Sequence, residues 1–243
     1  YNLNNYYTGL FPFGDGSSNN LSYTVALSRN NTFTNPIFPL GGSEFVLSAR
    51  FSLPYSLWNG VDYANLGDLE KFQDDDGNPD PAKIEQEKFK WLEFYKIKFK
   101  GSWYTRLFDK LVLRTHTEFG FLGAFNNDRG VIPFDRFFLG GDGMSQYAMD
   151  GRETISLRGY PNQSLSSQDG STIYNRFSLE LRYPITLKPA ASIFGLTFME
   201  TGQGYNNFRE FNPFNGKRSV GLGLRIFMPA FGLLGIDFGY GLD

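Results

Sequence analysis

The 243-residue chain has no cysteine. That excludes a disulfide framework and a thiolate metal site and leaves the compartment open. No run of about 18 apolar residues occurs, so no transmembrane helix is encoded, although membrane-crossing strands carry a much weaker signal and stay possible. A basic excess is also missing. Lys and Arg number 23 against 25 Asp and Glu, a net charge of -2, which argues against a nucleic-acid partner. The chain starts at Tyr1 without a signal peptide, which is expected of a processed product or a fragment.

Aromatics and glycine are abundant. Phe 26, Tyr 14 and Gly 28 suit strands and tight turns better than helices. Period-two alternation recurs along the chain. Leu21, Tyr23, Val25 and Leu27 form the first apolar row, and Phe45, Leu47, Ala49, Phe51 and Leu53 the second. Tyr95, Ile97, Phe99 and Trp103 alternate with Lys96, Lys98, Lys100 and Ser102. Leu111, Leu113, Thr115, Thr117, Phe119 and Phe121 alternate with Arg114, His116 and Glu118. Later rows are Phe177, Leu179, Leu181 and Tyr183; Val220, Leu222, Leu224 and Ile226; and Leu234, Ile236, Phe238 and Tyr240. A further strand is expected over 193–205, where alternation is poor and the facing is open. These rows predict about eight strands. Residues 1–20 read as a loop, and 54–87 as an irregular acidic insertion.

The polar rows hold Arg, Lys, Glu and His in mid-strand, and Trp103, Tyr183 and Tyr240 stand near strand ends. Short turns (Phe108-Asp109-Lys110, Lys188-Pro189-Ala190) alternate with very long loops. A soluble sandwich also alternates, but this asymmetry fits an all-β, transmembrane antiparallel β-barrel of outer-membrane type. The longest loop, 126–172, joins two strands and is expected to fold back into the lumen, with Arg158 as its anchor. A connection of that length inside a compact domain is usually functional or disordered.

The motifs of that loop carry a resemblance. Leu157-Arg158-Gly159-Tyr160 matches the Val/Leu-Arg-Gly-Phe/Tyr loop motif of the BamA family of outer-membrane protein assembly factors. Phe137-Phe138-Leu139-Gly140-Gly141 resembles the aromatic-x-Gly-Gly that opens the same loop, with Phe138, Gly140 and Gly141 as the opening residues. Asn35 to Gly42 resembles the family's turn ending in Phe-Pro-x-x-Gly. Leu179 to Pro184 resembles its Leu-Glu-aromatic/Tyr-x-Pro strand, Phe198 to Gly202 sits where it has Asp-x-Gly, and Ser219 to Asp243 resembles two of its last strands. Asp142 to Ser156 is extra sequence that enlarges the loop. The resemblance implies that residues 1–243 are the C-terminal part of one barrel domain, roughly the last half of about sixteen strands with the closing strand missing.

The resemblance further implies a non-enzymatic machine in the outer membrane of a Gram-negative bacterium. Its partners would be nascent outer-membrane proteins, accessory lipoprotein subunits and outer-membrane lipid, without a cofactor; a related two-partner-secretion pore is the alternative. A guanidinium presents a rigid fork of donors that matches carboxylates, so Arg158 is expected to pair with Glu180, Glu200 or both. His116 reads as an ordinary lumen residue with no nucleophile motif beside it. Lys96, Lys98 and Lys100 form an inward basic row, either a solvated wall or a partner for acidic loops or passing polypeptide. Asp74, Asp76, Asn78 and Asp80 resemble a calcium loop, but Pro79 stands where such a loop needs glycine, and a solvated acidic loop fits better.

Overall fold

The structure, a computed structural model, describes residues 2–3, 16–32, 35–143, 152–188 and 190–243. Most of the expected N-terminal loop and the middle of the enlarged segment 142–156 lie outside the described residues. Two short strands, β1 (Asn2–Leu3) and β2 (Gly16–Ser17), pair with each other. The rest is organised by β3 (Ser22–Asn30), β4 (Gly42–Ser52), β5 (Tyr95–Phe108) and β6 (Leu111–Gly123), followed after the long loop by β9 (Ile173–Lys188), β10 (Ala191–Tyr205), β11 (Lys217–Met228) and β12 (Gly232–Gly241). Within the loop, β7 (Phe137–Leu139) and β8 (Glu153–Ile155) pair in parallel.

The eight long strands form one antiparallel sheet in the order β12-β11-β10-β9-β6-β5-β4-β3. Every neighbour in the sheet is a neighbour in sequence, as expected of a meander whose connections are all hairpin-like. Turns after β3, β5, β9 and β11 lie at one end of the sheet. The connections 53–94, 124–172 and 206–216 lie at the other.

The sheet is inverted relative to a soluble one. Phe238 is 76% exposed on the outer face, whereas Glu200 on the inner face is 0% exposed. Leu27, Ile185, Met199, Leu222 and Ile236 share the exposed apolar side. A contiguous apolar outer surface of this size marks contact with lipid rather than water. The inner face is polar along β5, β6 and β9, and the loop is what buries it.

β10 shows why its alternation was unreadable. Phe194, Leu196 and Phe198 point inward and are buried, while Ile193 and Met199 point outward. Apolar residues on both faces erase the period. The inward set is covered by Ile37, Phe38 and Leu40 of the turn between β3 and β4, together with Tyr104 and Val112. Phe38 meets Phe194 edge-on at 5.2 Å. The short-turn end of the sheet is therefore sealed by its own apolar plug.

The segment 54–87, expected to be irregular, is ordered. It contains three single-turn 3-10 helices and most of an α-helix, α1 (Pro81–Phe89), around a small core of Tyr63, Leu66 and Phe72. Helix α1 starts where its sequence supplies a cap. Asp80 Oδ1 accepts from the amides of Ala82 (2.9 Å) and Lys83 (3.3 Å), and Pro81 occupies the first turn, where its missing N–H costs nothing. Both long loops share a second core, in which Phe89, Leu92 and Phe94 pack with Ile132, Phe137, Leu139 and Ile155 over Leu122 and Tyr174 of the sheet.

Candidate functional site

The loop closes on itself before it reaches the wall. Gly141 and Leu157 exchange backbone hydrogen bonds of 3.2 and 3.1 Å, and the Gly140 amide donates to Ile155 O at 3.0 Å. The opening residues and the Leu-Arg-Gly-Tyr motif thus lie side by side, although fifteen positions and more separate them in sequence. Gly140 and Gly141 hold φ of 121° and 78°, and a Cβ on Gly140 would stand 2.6 Å from Pro161 O. Phe138 is buried beneath the Arg152 guanidinium, which lies 4.6 Å from its ring centroid.

Leu157 is fully buried and delivers Arg158 to the inner wall. Arg158 Nη2 donates to Glu180 Oε1 at 2.7 Å, Nε donates to Glu200 Oε1 at 3.1 Å, and its backbone amide donates to Glu200 Oε2 at 3.0 Å. Its guanidinium lies 3.7 Å from the Phe198 ring centroid, and Nη1 stands 3.5 Å from Asp237 Oδ2. One side chain thus touches β9, β10 and β12. Burial acts to lower the Arg158 pKa, and the Glu200 and Glu180 carboxylates outweigh it, so the guanidinium is held charged above its ordinary value.

The next two motif residues continue across the sheet. Gly159 has φ of 93°, and a Cβ there would stand 2.9 Å from Tyr240 C and 3.0 Å from Gly241 N, so only glycine allows this approach. A Cβ on Gly239 would in turn meet the Gly159 amide nitrogen at 2.7 Å. Tyr160 donates its hydroxyl to Arg218 O on β11 at 2.7 Å.

Neither acid belongs to Arg158 alone. Glu180 also accepts from Arg182 Nε at 2.8 Å and Arg114 Nη1 at 3.4 Å, and Glu200 from Arg176 Nη2 at 2.7 Å. Arg176 bridges onward to Glu118 at 2.9 Å. Cross-strand register builds this network, since β6 and β9 place Arg114 opposite Glu180 and Glu118 opposite Arg176. Glu118 and Arg176 were not singled out from sequence as partners of the motif; the inward parity of β6 and β9 was the signal available.

The lysine row meets the loop. Lys96 Nζ donates to Asp135 O at 2.6 Å and sits 2.9 Å from Glu153 Oε2, and Lys98 Nζ is 2.9 Å from Glu153 Oε1. Lys100 pairs with Glu118 at 3.2 Å. For Glu153, burial alone would raise the pKa; Lys96 and Lys98 overcome it and hold the carboxyl below its usual range. Asp135 and Glu153 were unmarked in sequence because nothing local distinguishes a docking acid from a solvated one.

His116 has closer company than its sequence neighbours announce. Ser102, its cross-strand partner, places Oγ 2.9 Å from Nδ1, and Glu118 Oε1 lies 2.8 Å from Nε2. A serine, a histidine and a carboxylate in line resemble a nucleophile relay. Ser102 is only 2% exposed, however, and Arg114 Nη2 donates to its hydroxyl at 3.0 Å. The serine thus bridges the Arg114 guanidinium and the His116 ring.

The calcium-like run does not converge on a site. Asp74 Oδ1 accepts the amides of Asp76 (3.0 Å) and Asn78 (2.8 Å), and Asp80 caps α1. The Lys83 ammonium, which donates to Gln73 O at 2.6 Å, stands 3.6 Å from Asp80 Oδ2. Among the described residues no group of three or more His, Cys, Asp or Glu side chains comes together. No helix among them is long and apolar enough to cross a membrane, which says nothing of strands.

An antiparallel sheet with an apolar outer face, a charged inner face and a long loop locked onto that inner face defines part of an outer-membrane-type β-barrel. The Omp85 superfamily domain matches residues 2–243. The chain belongs to the Omp85 superfamily. Among solved structures, it is similar to BamA from Haemophilus ducreyi lacking POTRA domains 1–3, with a TM-score of 0.61 and 19% identity over 91% of this chain and 39% of that one. It is also similar to CdiB from Escherichia coli, with a TM-score of 0.50 and 13% identity over 91% of this chain and 33% of that one. The likeness is one of fold, a BamA-type barrel segment, and the chain spans well under half of either structure. No curated protein matches.

Proposed function

We propose that this chain is part of a non-enzymatic barrel that folds and inserts nascent β-barrel proteins into the outer membrane of a Gram-negative bacterium. The observation that carries the reading is the Arg158 clamp. Its loop occupies the inner face and ties four consecutive strands, β9 to β12, which is architecture for holding a wall in shape rather than for leaving an open solute channel. The BamA-type fold over most of the chain supports the same reading. Nascent outer-membrane proteins would be the clients, with accessory lipoprotein subunits and outer-membrane lipid as further partners. Clients would be templated by backbone hydrogen bonding along a sheet edge.

The likeness to CdiB favours a second reading, a pore for one secreted polypeptide. Depleting the full-length protein in its native cell and quantifying folded outer-membrane barrels separates the two. A broad collapse of unrelated barrels is the expected result. Loss of a single secreted substrate, with other barrels intact, would replace the assembly role with the pore.

A further inference from the structure

The ordered segment 53–94 does more than cover the mouth of the sheet. Between it and Arg129 lies a cleft of about 430 Å³ lined by Tyr55, Trp58, Tyr63, Trp91, Glu87 and Lys90 among others. That volume is within the range of small-molecule sites, roughly 300–1,000 Å³. It lies at the long-loop end, the side that faces the cell exterior in barrels of this type.

The floor of the cleft is built and spent. Arg129, 4% exposed, pairs with Glu93 at 2.6 Å, donates to Lys88 O and Trp91 O, and lies 4.9 Å from the Tyr63 ring centroid. The Tyr63 hydroxyl accepts from Asn59 Nδ2 at 2.6 Å, and Asn59 Oδ1 accepts from the Val61 amide at 3.1 Å. Ser56 donates twice to Glu93, at 2.7 Å from both its amide and its hydroxyl. These bonds make the floor rigid.

The walls are unspent. Trp58 and Trp91 are 66% and 45% exposed, although large aromatics in an ordered segment are ordinarily drawn into its core. The Tyr55 and Trp91 rings pack with centroids 5.4 Å apart and planes tilted by 49°, and the Tyr55 hydroxyl is closed off from solvent with no hydrogen-bond partner. Glu87 and Lys90 lie on the last turns and end of α1, and neither side chain makes an ion pair or hydrogen bond among the described residues. The cleft therefore offers aromatic faces, a carboxylate that accepts hydrogen bonds and an ammonium that donates them.

We propose that this cleft is a binding site for a neutral saccharide. A pyranose has an apolar C–H face that suits indole and phenol rings, and a rim of hydroxyls that both donate and accept. Glu87 and Lys90 cancel in charge, so neither an anion nor a cation is favoured overall. A hydroxyl between them can accept from the ammonium and donate to the carboxylate.

The test uses the full-length protein in lipid nanodiscs and a panel of neutral trisaccharides: maltotriose, cellotriose, laminaritriose and mannotriose. Saturation-transfer NMR detects binding, and titration calorimetry gives affinity. At least one trisaccharide should bind with Kd near about 1 mM or tighter, and Trp58→Ala and Trp91→Ala should each weaken it about tenfold or more. Trp103→Ala, on the lipid side of β5, should leave binding unchanged. Failure of all four sugars at about 10 mM would overturn the proposal, since affinity beyond that is too weak to be a site. So would binding that survives both tryptophan substitutions, or a sulfated trisaccharide binding where its neutral parent does not. Loss of assembly activity in the cell, by contrast, bears on the barrel and not on this cleft.

Discussion

Replacing Arg158 by alanine should free the loop from the wall without unfolding the sheet. Its side chain is 11% exposed and its fork spans Glu180 and Glu200. Removing one partner of a buried ion pair costs about 3–5 kcal/mol. Here the lower end applies, because Glu180 keeps Arg182 and Arg114, and Glu200 keeps Arg176. Neither carboxylate is left bare. Losing the contact with Phe198 adds about 1 kcal/mol. A local cost of about 4 kcal/mol in all corresponds to about an 850-fold rise in the opened population of the loop. Hydrogen–deuterium exchange on amides of 155–160 in the full-length protein reads this directly, with β9 amides as the internal control. Arg158→Lys keeps the charge but not the fork and should fall between wild type and alanine. Glu200→Gln should open the loop more than Glu180→Gln, because Glu200 also holds the Arg158 amide. Exchange in Arg158→Ala within about threefold of wild type would refute the clamp, since that is under 1 kcal/mol.

Gly159→Ala should also release the loop, at about 1–3 kcal/mol, because its φ of 93° is strained for alanine and the new Cβ would press on Tyr240 and Gly241 backbone; the same exchange experiment checks it. Glu153 sets a pH dependence. Its carboxyl is depressed by Lys96 and Lys98, so it stabilises the docked loop above its unfolded pKa, and that contribution is lost as pH falls through the lower folded value. Exchange of 152–157, corrected for intrinsic rates, should therefore rise below about pH 4, and Glu153→Gln should remove that dependence. Arg129→Met should loosen 53–94 by about 3–5 kcal/mol, seen as faster limited proteolysis there, because Glu93, with 2% of its side chain exposed, loses its counter-charge.

Fold class was legible where a strand has one lipid face and one polar face. β5, β6 and β9 each carry a run of clean alternation, over 95–100, 113–119 and 177–183, and the parity of those runs places Lys96, Glu118 and Glu180 on the inner side. β10 was opaque because Phe194, Leu196 and Phe198 answer to the plug at Phe38, which is about 155 residues away in sequence and invisible to a periodicity argument. Helix α1 was written in Asp80-Pro81, but the acidic run before it read as solvated loop. The Arg158 motif could be marked because it stands in order with other motifs that resemble one family; alone, an arginine beside a glycine reads as a solvated loop residue. Which acids meet it depends on register, and register is a property of the whole sheet.

The inner surface of the wall is not uniform. Across β6, β9 and β10, Arg114–Glu180, Arg176–Glu118 and Arg176–Glu200 cross-brace neighbouring strands, so bending one strand strains several charge contacts at once. On β12, Gly239 and Gly241 present bare backbone to the loop, and backbone without side chains has the greatest freedom to flex. The loop therefore meets the wall in two ways: Arg158 through charge that reaches β9, β10 and β12, and Gly159 through close backbone contact with β12, whose Asp237 is itself braced to Arg225 of β11 at 2.7 Å.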